Sequence, residues 1–168
     1  KSQNIGFFPG STIGNFSENE AKNLLMSFKK ILGKNGFLII GVDLRKDKKI
    51  MEKAYNDSKG ITAEFNKNIL NGINKKIGSK FNIKNFEHKA YFNEEKKRIE
   101  MHLISRQNQN ISLKDCDLKL LKGESIHTEN SHKYSALEFE KLALSSGYKK
   151  IDFLTDKKKY FGIFFLKV

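Results

Sequence analysis

Three stretches of this sequence concentrate side chains able to do polar chemistry. The first is Pro9-Gly10-Ser11-Thr12-Ile13-Gly14-Asn15, which follows a short apolar run. Its glycines would let backbone approach a ligand closely, and Ser11, Thr12 and Asn15 offer hydrogen-bonding groups. No Gly-Lys-Ser/Thr follows and the dinucleotide glycine pattern is absent, so it is neither a P-loop nor a dinucleotide fingerprint. On its residues alone it reads equally well as a tight turn. The second is Ile126-His127-Thr128-Glu129-Asn130-Ser131-His132, which lies in a polar segment, Gly123 to Tyr134, that reads as a loop. The five-residue spacing of His127 and His132 matches no standard ligand pair and no cysteine stands nearby, so no metal is expected. A solvated loop is the plainer reading. The third, Tyr55-Asn56-Asp57, has by itself the form of a helix end or turn.

The elements that must position these groups follow from local patterns. Asn4 to Phe8 reads as a strand stopping at Pro9-Gly10. Ser17 and Glu20 form a capping box ahead of Leu24, Leu25, Phe28, Ile31 and Leu32 at helical spacing, and Gly33 and Gly36 end that helix. Phe37 to Val42 is a continuous apolar run of strand length, as in a sheet covered on both faces. This β-loop-α-β order predicts an open α/β domain. From Arg45 the chain turns Lys- and Asn-rich, with helices expected over 50–54 and 63–77, the second carrying an apolar stripe of Ala63, Phe65, Ile69, Leu70, Ile73 and Ile77. A β-hairpin is expected over 87–93 and 97–105. A last helix starts at Ser135 with Glu138 three residues on, and 148–154 and 160–168 fit an antiparallel pair at a sheet edge.

Composition narrows the function class. The chain has 168 residues, 38% hydrophobic and 11% aromatic, enough for a packed core. Its single cysteine, Cys116, excludes an intrachain disulfide and suits a reducing, cytoplasmic setting. Apolar runs such as Phe37-Leu38-Ile39-Ile40 are too short to span a bilayer, so no membrane partner is expected. The net charge of +13 invites a nucleic-acid reading. The positives, however, are nearly all lysines in short interrupted runs, with Arg45, Arg98 and Arg106 the only arginines. No nucleic-acid motif is found, so the surplus reads as a solvated lysine surface and no nucleic acid is expected. The sequence starts at Lys1 without an initiator Met or a secretion pattern and is expected to be a piece of something longer.

Taken together, the strings Phe8-Pro9-Gly10-Ser11-Thr12-Ile13-Gly14-Asn15-Phe16, Gly41-Val42-Asp43-Leu44-Arg45-Lys46-Asp47, Ala54-Tyr55-Asn56-Asp57 with Gly60-Ile61-Thr62-Ala63-Glu64-Phe65-Asn66, and Ile126-His127-Thr128-Glu129-Asn130-Ser131-His132-Lys133-Tyr134-Ser135 resemble the histidine Nα-methyltransferases. Those enzymes use S-adenosylmethionine to make trimethylhistidine (hercynine), the first intermediate of ergothioneine biosynthesis. The resemblance covers essentially the whole chain. It implies the C-terminal part of a Rossmann-like class I methyltransferase sheet (residues 1–45 and 135–168) with an inserted α+β substrate-binding domain (46–134). It also implies that the glycine-rich cofactor loop and the acidic ribose-binding residue lie upstream of Lys1, so the piece alone is expected to be inactive.

The resemblance further implies roles for named residues. Asn15 would hydrogen-bond the α-amino group of L-histidine, Gly10 would leave room beside it, and Tyr55 would donate to the substrate carboxylate. Glu129 would accept the imidazole N–H, Ser131 would bond the other ring nitrogen, and Met101 would form an apolar wall. By their own surroundings Met101 reads as core between Ile99 and Leu103, and Asn15 as a helix cap. Asn56, Asp57 and Asn66 are expected to support the site rather than touch substrate. A monomer with S-adenosylmethionine as methyl donor and no metal is expected. Two alternatives stand beside this: an N-methyltransferase of another amino acid such as tryptophan, and a non-catalytic amino-acid-binding or partner module.

Overall fold

The computed structural model describes residues 3–168. Along the chain run β1 (Ile5–Phe8), a 3-10 turn (Thr12–Asn15), α1 (Glu18–Leu32), β2 (Phe37–Asp43), α2 (Lys48–Tyr55), α3 (Ile61–Ile77), a second 3-10 turn (Ile83–Asn85), β3 (Phe86–Asn93), β4 (Arg98–Ser105), β5 (Gln109–Ser112), β6 (Asp117–Leu120), β7 (Ser125–His132), α4 (Ala136–Ser145), β8 (Lys149–Thr155) and β9 (Phe161–Lys167). The chain divides into two compact units. The first holds the residues up to Asp47, Glu94–Arg98 and Asn130–Val168; the second holds Lys48–Asn93 and Ile99–Glu129.

The first unit is built on a four-stranded sheet in the order β1-β2-β9-β8. β1 runs parallel to β2, with Ile5 opposite Phe37, whereas β9 runs antiparallel to both β2 and β8. Leu38, Ile40 and Val42 of β2 are buried with Ile13, Leu25, Phe139, Tyr148, Phe164 and Leu166 in one core. Both helices of this unit start on capping boxes, Ser17 with Glu20 and Ser135 with Glu138, in which the serine hydroxyl accepts from the glutamate amide and the glutamate carboxylate accepts from the serine amide. The expected closing pair of strands forms, but only β8 is at the margin; β9 lies between β2 and β8. The reason is hydrophobicity. Phe161 to Leu166 is nearly continuous apolar sequence suited to an interior strand, while Lys149, Lys150 and Asp152 give β8 a margin that tolerates water. At the opposite margin, Ile5 and Phe7 of β1 are 66% and 71% exposed.

The second unit contains α2, α3, most of the sheet β3-β4-β7 and the hairpin β5–β6, in which Gln109 faces Leu120. One core cluster gathers Leu70, Phe86, Leu103 and Ile111; another gathers Met51, Ala90, Phe92, Ile99 and Met101. One expectation is corrected here. The polar segment Gly123 to Tyr134 is not a loop: Ser125–His132 is a strand beside β4. Polar side chains on both of its faces erase the alternation that reveals a half-buried strand, and backbone pairing supplies what the side chains do not. The β5–β6 hairpin was not expected at all. On α3 the apolar stripe is not wholly buried, since Leu70 is covered while Phe65, Ile69 and Ile77 are exposed. No helix among the described residues is long and apolar enough to cross a membrane.

Candidate functional site

In the first unit the loop after β1 is held by close backbone approaches. Ser11 adopts a left-handed conformation (φ 56°), its carbonyl accepts from the Gly14 amide (2.9 Å), and its Oγ accepts from the Asp43 amide at the end of β2 (2.7 Å). Gly14 has no room for a side chain, because a Cβ there would lie 2.8 Å from the carbonyl oxygen of His132 and 3.6 Å from Ser131 Oγ. Gly41 is required for the same reason, a Cβ falling 2.0 Å from the Pro9 carbonyl oxygen. Gly10 differs: a Cβ would meet only Thr12 Oγ1, at 3.6 Å, so packing among the described residues does not demand glycine there. Asn15 ends the 3-10 turn and is exposed, and its amide has no partner among the described residues. It does not cap α1; Ser17 does.

Ser131 and Lys133 lie on and just past the end of β7. Both are buried, and the Lys133 side chain is 1% exposed. Its Nζ donates to Asp43 Oδ2 (2.6 Å) and to Ser131 Oγ (2.9 Å), and Lys46 Nζ donates to Asp43 Oδ1 (2.5 Å). The segment is registered by a parallel bridge between Leu44 and Tyr134 and by the Arg45 amide donating to the Tyr134 carbonyl. The Arg45 guanidinium donates to the Lys133 carbonyl (3.3 Å) and to the Glu138 carboxylate, which also accepts from Lys97 (2.7 Å). Burial disfavours ionisation of Glu138, but the Lys97 and Ser135 hydrogen bonds and the Arg45 charge outweigh it and hold the carboxyl at about 2. A cavity of about 580 Å³ in this unit is lined by Glu18, Arg45, Lys97, His132, Tyr134 and Glu138 among others, and by none of Gly10, Asn15 or Ser131. Burial pushes the Tyr134 phenol up to about 12, and its hydroxyl has no partner among the described residues.

In the second unit Tyr55 ends α2 and packs against the cluster that holds Met101, which is 3% exposed. Glu129 is half-buried beside Phe65, Asn66, Ile69 and Thr128, around a hollow of about 240 Å³. The exposed part of the α3 stripe therefore forms an apolar wall next to a carboxylate. Thr128 Oγ1 donates to the Met101 carbonyl (2.9 Å), tying β7 to β4 by a side chain as well as by backbone. The supporting residues act as expected for their types. Asn56 pairs both ways with the Ala90 peptide (3.1 and 2.9 Å), and Asn66 bonds His88 and the His102 carbonyl. Asp57 accepts from the Ile61 and Thr62 amides at the start of α3; those bonds, Thr62 foremost, lower its carboxyl to about 2.

One cluster brings metal-ligating atoms together: Glu100, His102 and His127, within 4.8 Å of one another. The His102 and His127 rings stack nearly parallel, 4.6 Å apart and 13° between planes, so their in-plane lone pairs run side by side rather than converging. The Glu100 carboxylate meanwhile accepts from Tyr91 and Asn93. The three side chains form a stacked, hydrogen-bonded wall. Burial lowers the His102 pKa, which favours the neutral ring in that stack.

The sequence-expected residues thus fall in two groups, Gly10, Asn15 and Ser131 in the first unit and Tyr55, Met101 and Glu129 in the second. Sequence reasoning missed Ser11, Gly14, Asp43 and Lys133 as the groups that hold Ser131 and the Asn15 loop. All four stand inside the quoted strings, so their partners, not their presence, were the missing signal.

Residues 1–168 match a family described as histidine-specific methyltransferase, SAM-dependent. The chain is 33% identical over 158 residues to a histidine N-alpha-methyltransferase of Mycolicibacterium smegmatis, covering 93% of this chain and 49% of that protein. It is 28% identical to ergothioneine biosynthesis protein 1 of Neurospora crassa, covering 90% of this chain and 17% of the other. Among solved structures, an S-adenosylmethionine-dependent methyltransferase from Clostridium acetobutylicum matches with a TM-score of 0.51 at 9% identity, over all of this chain and 60% of that one. The CcbJ methyltransferase of Streptomyces caelestis matches with 0.52, also at 9% identity, over 99% and 61%. These likenesses show a Rossmann-like methyltransferase fold.

Proposed function

The chain belongs to the histidine-specific, S-adenosylmethionine-dependent methyltransferase family, and from that premise we propose that it supplies the amino-acid-binding part of an enzyme that methylates the α-amino group of L-histidine to trimethylhistidine. The chain spans about half the length of the curated mycobacterial relatives it matches, 49% of each. The activity is accordingly proposed for the longer protein that would contain it. S-adenosylmethionine, as the family's methyl donor, would bring the activated methyl group. The described residues do not fit that cofactor: at the carboxyl end of β2 the acid, Asp43, is committed to Lys133 and Lys46, and no glycine-rich run stands there to cradle it. No step is therefore routed through these residues and the cofactor, whose pocket we assign to sequence outside this chain.

The observation that carries the reading is the state of Asn15. Its loop is pinned by Ser11 and Gly14, yet its neutral amide is exposed and unengaged among the described residues. N-methylation requires an unprotonated amine with its lone pair correctly aimed. A carboxylamide can accept an amine N–H and orient the nitrogen without stabilising the ammonium form, as a carboxylate would. In the same reading Gly10 leaves space beside the amine and Tyr55 donates its phenol to the substrate carboxylate. Glu129 accepts the imidazole N–H, Ser131 bonds the other ring nitrogen, and Met101 backs the pocket. Such polar partners reject analogues unable to satisfy them.

The test is Asn15→Asp in the full-length gene product. A carboxylate beside the amine raises its pKa by about 1–3 units, so methylation of histidine at neutral pH should slow by about tenfold or more. An unchanged rate with unchanged trimethyl product would remove Asn15 from the reaction.

A further inference from the structure

We infer that Lys133 is the positioning residue that makes Ser131 a hydrogen-bond donor, so that the pocket reads an unprotonated ring nitrogen and favours the neutral imidazole over the imidazolium. The inference rests on the proposed reading in which Ser131 meets the substrate imidazole. An ammonium has three donors and no acceptor, so in the 2.9 Å contact between Lys133 Nζ and Ser131 Oγ the serine must accept. Accepting from a cation polarises the Ser131 hydroxyl and turns its hydrogen away from Lys133, toward an acceptor. Lys133 has little freedom to do otherwise: its side chain is 1% exposed and its ammonium is also held by Asp43 Oδ2 at 2.6 Å. Asp43 is itself positioned by its amide donating to Ser11 Oγ, in the loop that carries Asn15. Asp43, half-buried, therefore joins the Asn15 loop to the serine, its amide bonding Ser11 and its carboxylate holding Lys133.

The charges around Lys133 set the sign. From β2 it faces Asp43, whose other oxygen takes Lys46. Arg45 donates to the Lys133 carbonyl and turns to Glu138, which also takes Lys97. On β7 itself His132 is the neighbouring residue, and Glu129 stands two residues before Ser131, on the same face of the strand. Glu129 alone would attract an imidazolium and accept its proton-bearing nitrogen. Lys133 counterweighs it by holding a fixed positive charge one hydrogen bond behind Ser131. A neutral imidazole, one donor and one acceptor, satisfies both; an imidazolium, with two donors, leaves the hydroxyl hydrogen without its acceptor and brings a second positive charge toward Lys133.

The experiment is the KM for histidine as a function of pH in the full-length gene product, native and Lys133→Met. Imidazole titrates near pH 6.5, so if only the neutral ring binds, KM rises about tenfold between pH 7.5 and pH 5.5. In K133M that rise should flatten to about twofold, with kcat at pH 7.5 far less affected because the α-amino end of the substrate is untouched. A folded K133M that keeps the full rise overturns the inference, as does a native protein that methylates histidine with a flat profile. Should K133M not fold, Ser131→Ala decides: it leaves the Lys133–Asp43 pair in place and should flatten the profile alike, and a tenfold rise in S131A would refute the role. A native protein that binds cofactor but turns over no histidine at any pH would instead remove the underlying function, and this inference with it.

Discussion

The two units satisfy their polar side chains by different means. In the first, charges are balanced by charges: Lys133 and Lys46 on Asp43, Arg45 and Lys97 on Glu138. In the second, amides imitate backbone. Asn56 pairs with the Ala90 peptide, Asn74 accepts from the Phe81 amide and donates to its carbonyl, and Asn66 joins His88 to the His102 carbonyl. A balanced charge network orients its members strongly and responds to pH; an amide paired with a peptide holds register and is indifferent to pH. Ser131 and Lys133 stand in the first arrangement, and Tyr55 stands beside the second.

That contrast can be broken in order of expected effect. Asp43→Asn should be the most damaging single change, about 3–5 kcal/mol in chemical denaturation, because it strips the balancing carboxylate from a fully buried lysine. A loss under about 1 kcal/mol would mean that the network is not the mainstay of the first unit. Asn56→Ala should cost less, about 1–3 kcal/mol, by leaving the amide and carbonyl of Ala90 without their side-chain partner. Its cost should also be the same at pH 5 and pH 8, and a pH-dependent cost would mean that a titrating group bears on the Asn56–Ala90 pair. Glu138→Gln should show the smallest effect and the clearest pH signature. The native carboxyl is held near 2, below its ordinary 4.5, so its contribution is fully present above about pH 4.5 and is lost as pH falls through 2. Denaturation curves of native and E138Q proteins should therefore separate at pH 6 and converge toward pH 2. Separation that persists at pH 2 would contradict the assignment.

What could be read in the sequence was local. Ser17 with Glu20 and Ser135 with Glu138 each announce a helix start within four residues, and both boxes form with their reciprocal bonds. The run Phe37 to Val42 announces an interior strand because its hydrophobicity is continuous. β7 could not be read this way, since Thr128, Glu129, Asn130 and Ser131 carry no alternation, and the strand exists because β4 is there to pair with it. The short β5–β6 hairpin suffered likewise, its strands of four residues each being too brief to show a period. For the site, resemblance named the residues that would touch substrate, but not what holds them.

The sequence by itself determined the helix caps, the apolar strands, the lysine-rich surface and the strings that mark the family, because each is a property of neighbours in the chain. Only the tertiary structure decided that Ser11 latches the end of β2, that Gly14 must be glycine because the His132 carbonyl lies against it, and that Lys133 reaches both Asp43 and Ser131. Contacts such as Ser11 to Asp43 and Asp43 to Lys133 join residues far apart in sequence, where no spacing rule applies. A hydrogen bond's direction depends on which partner stands opposite, and folding alone settles that.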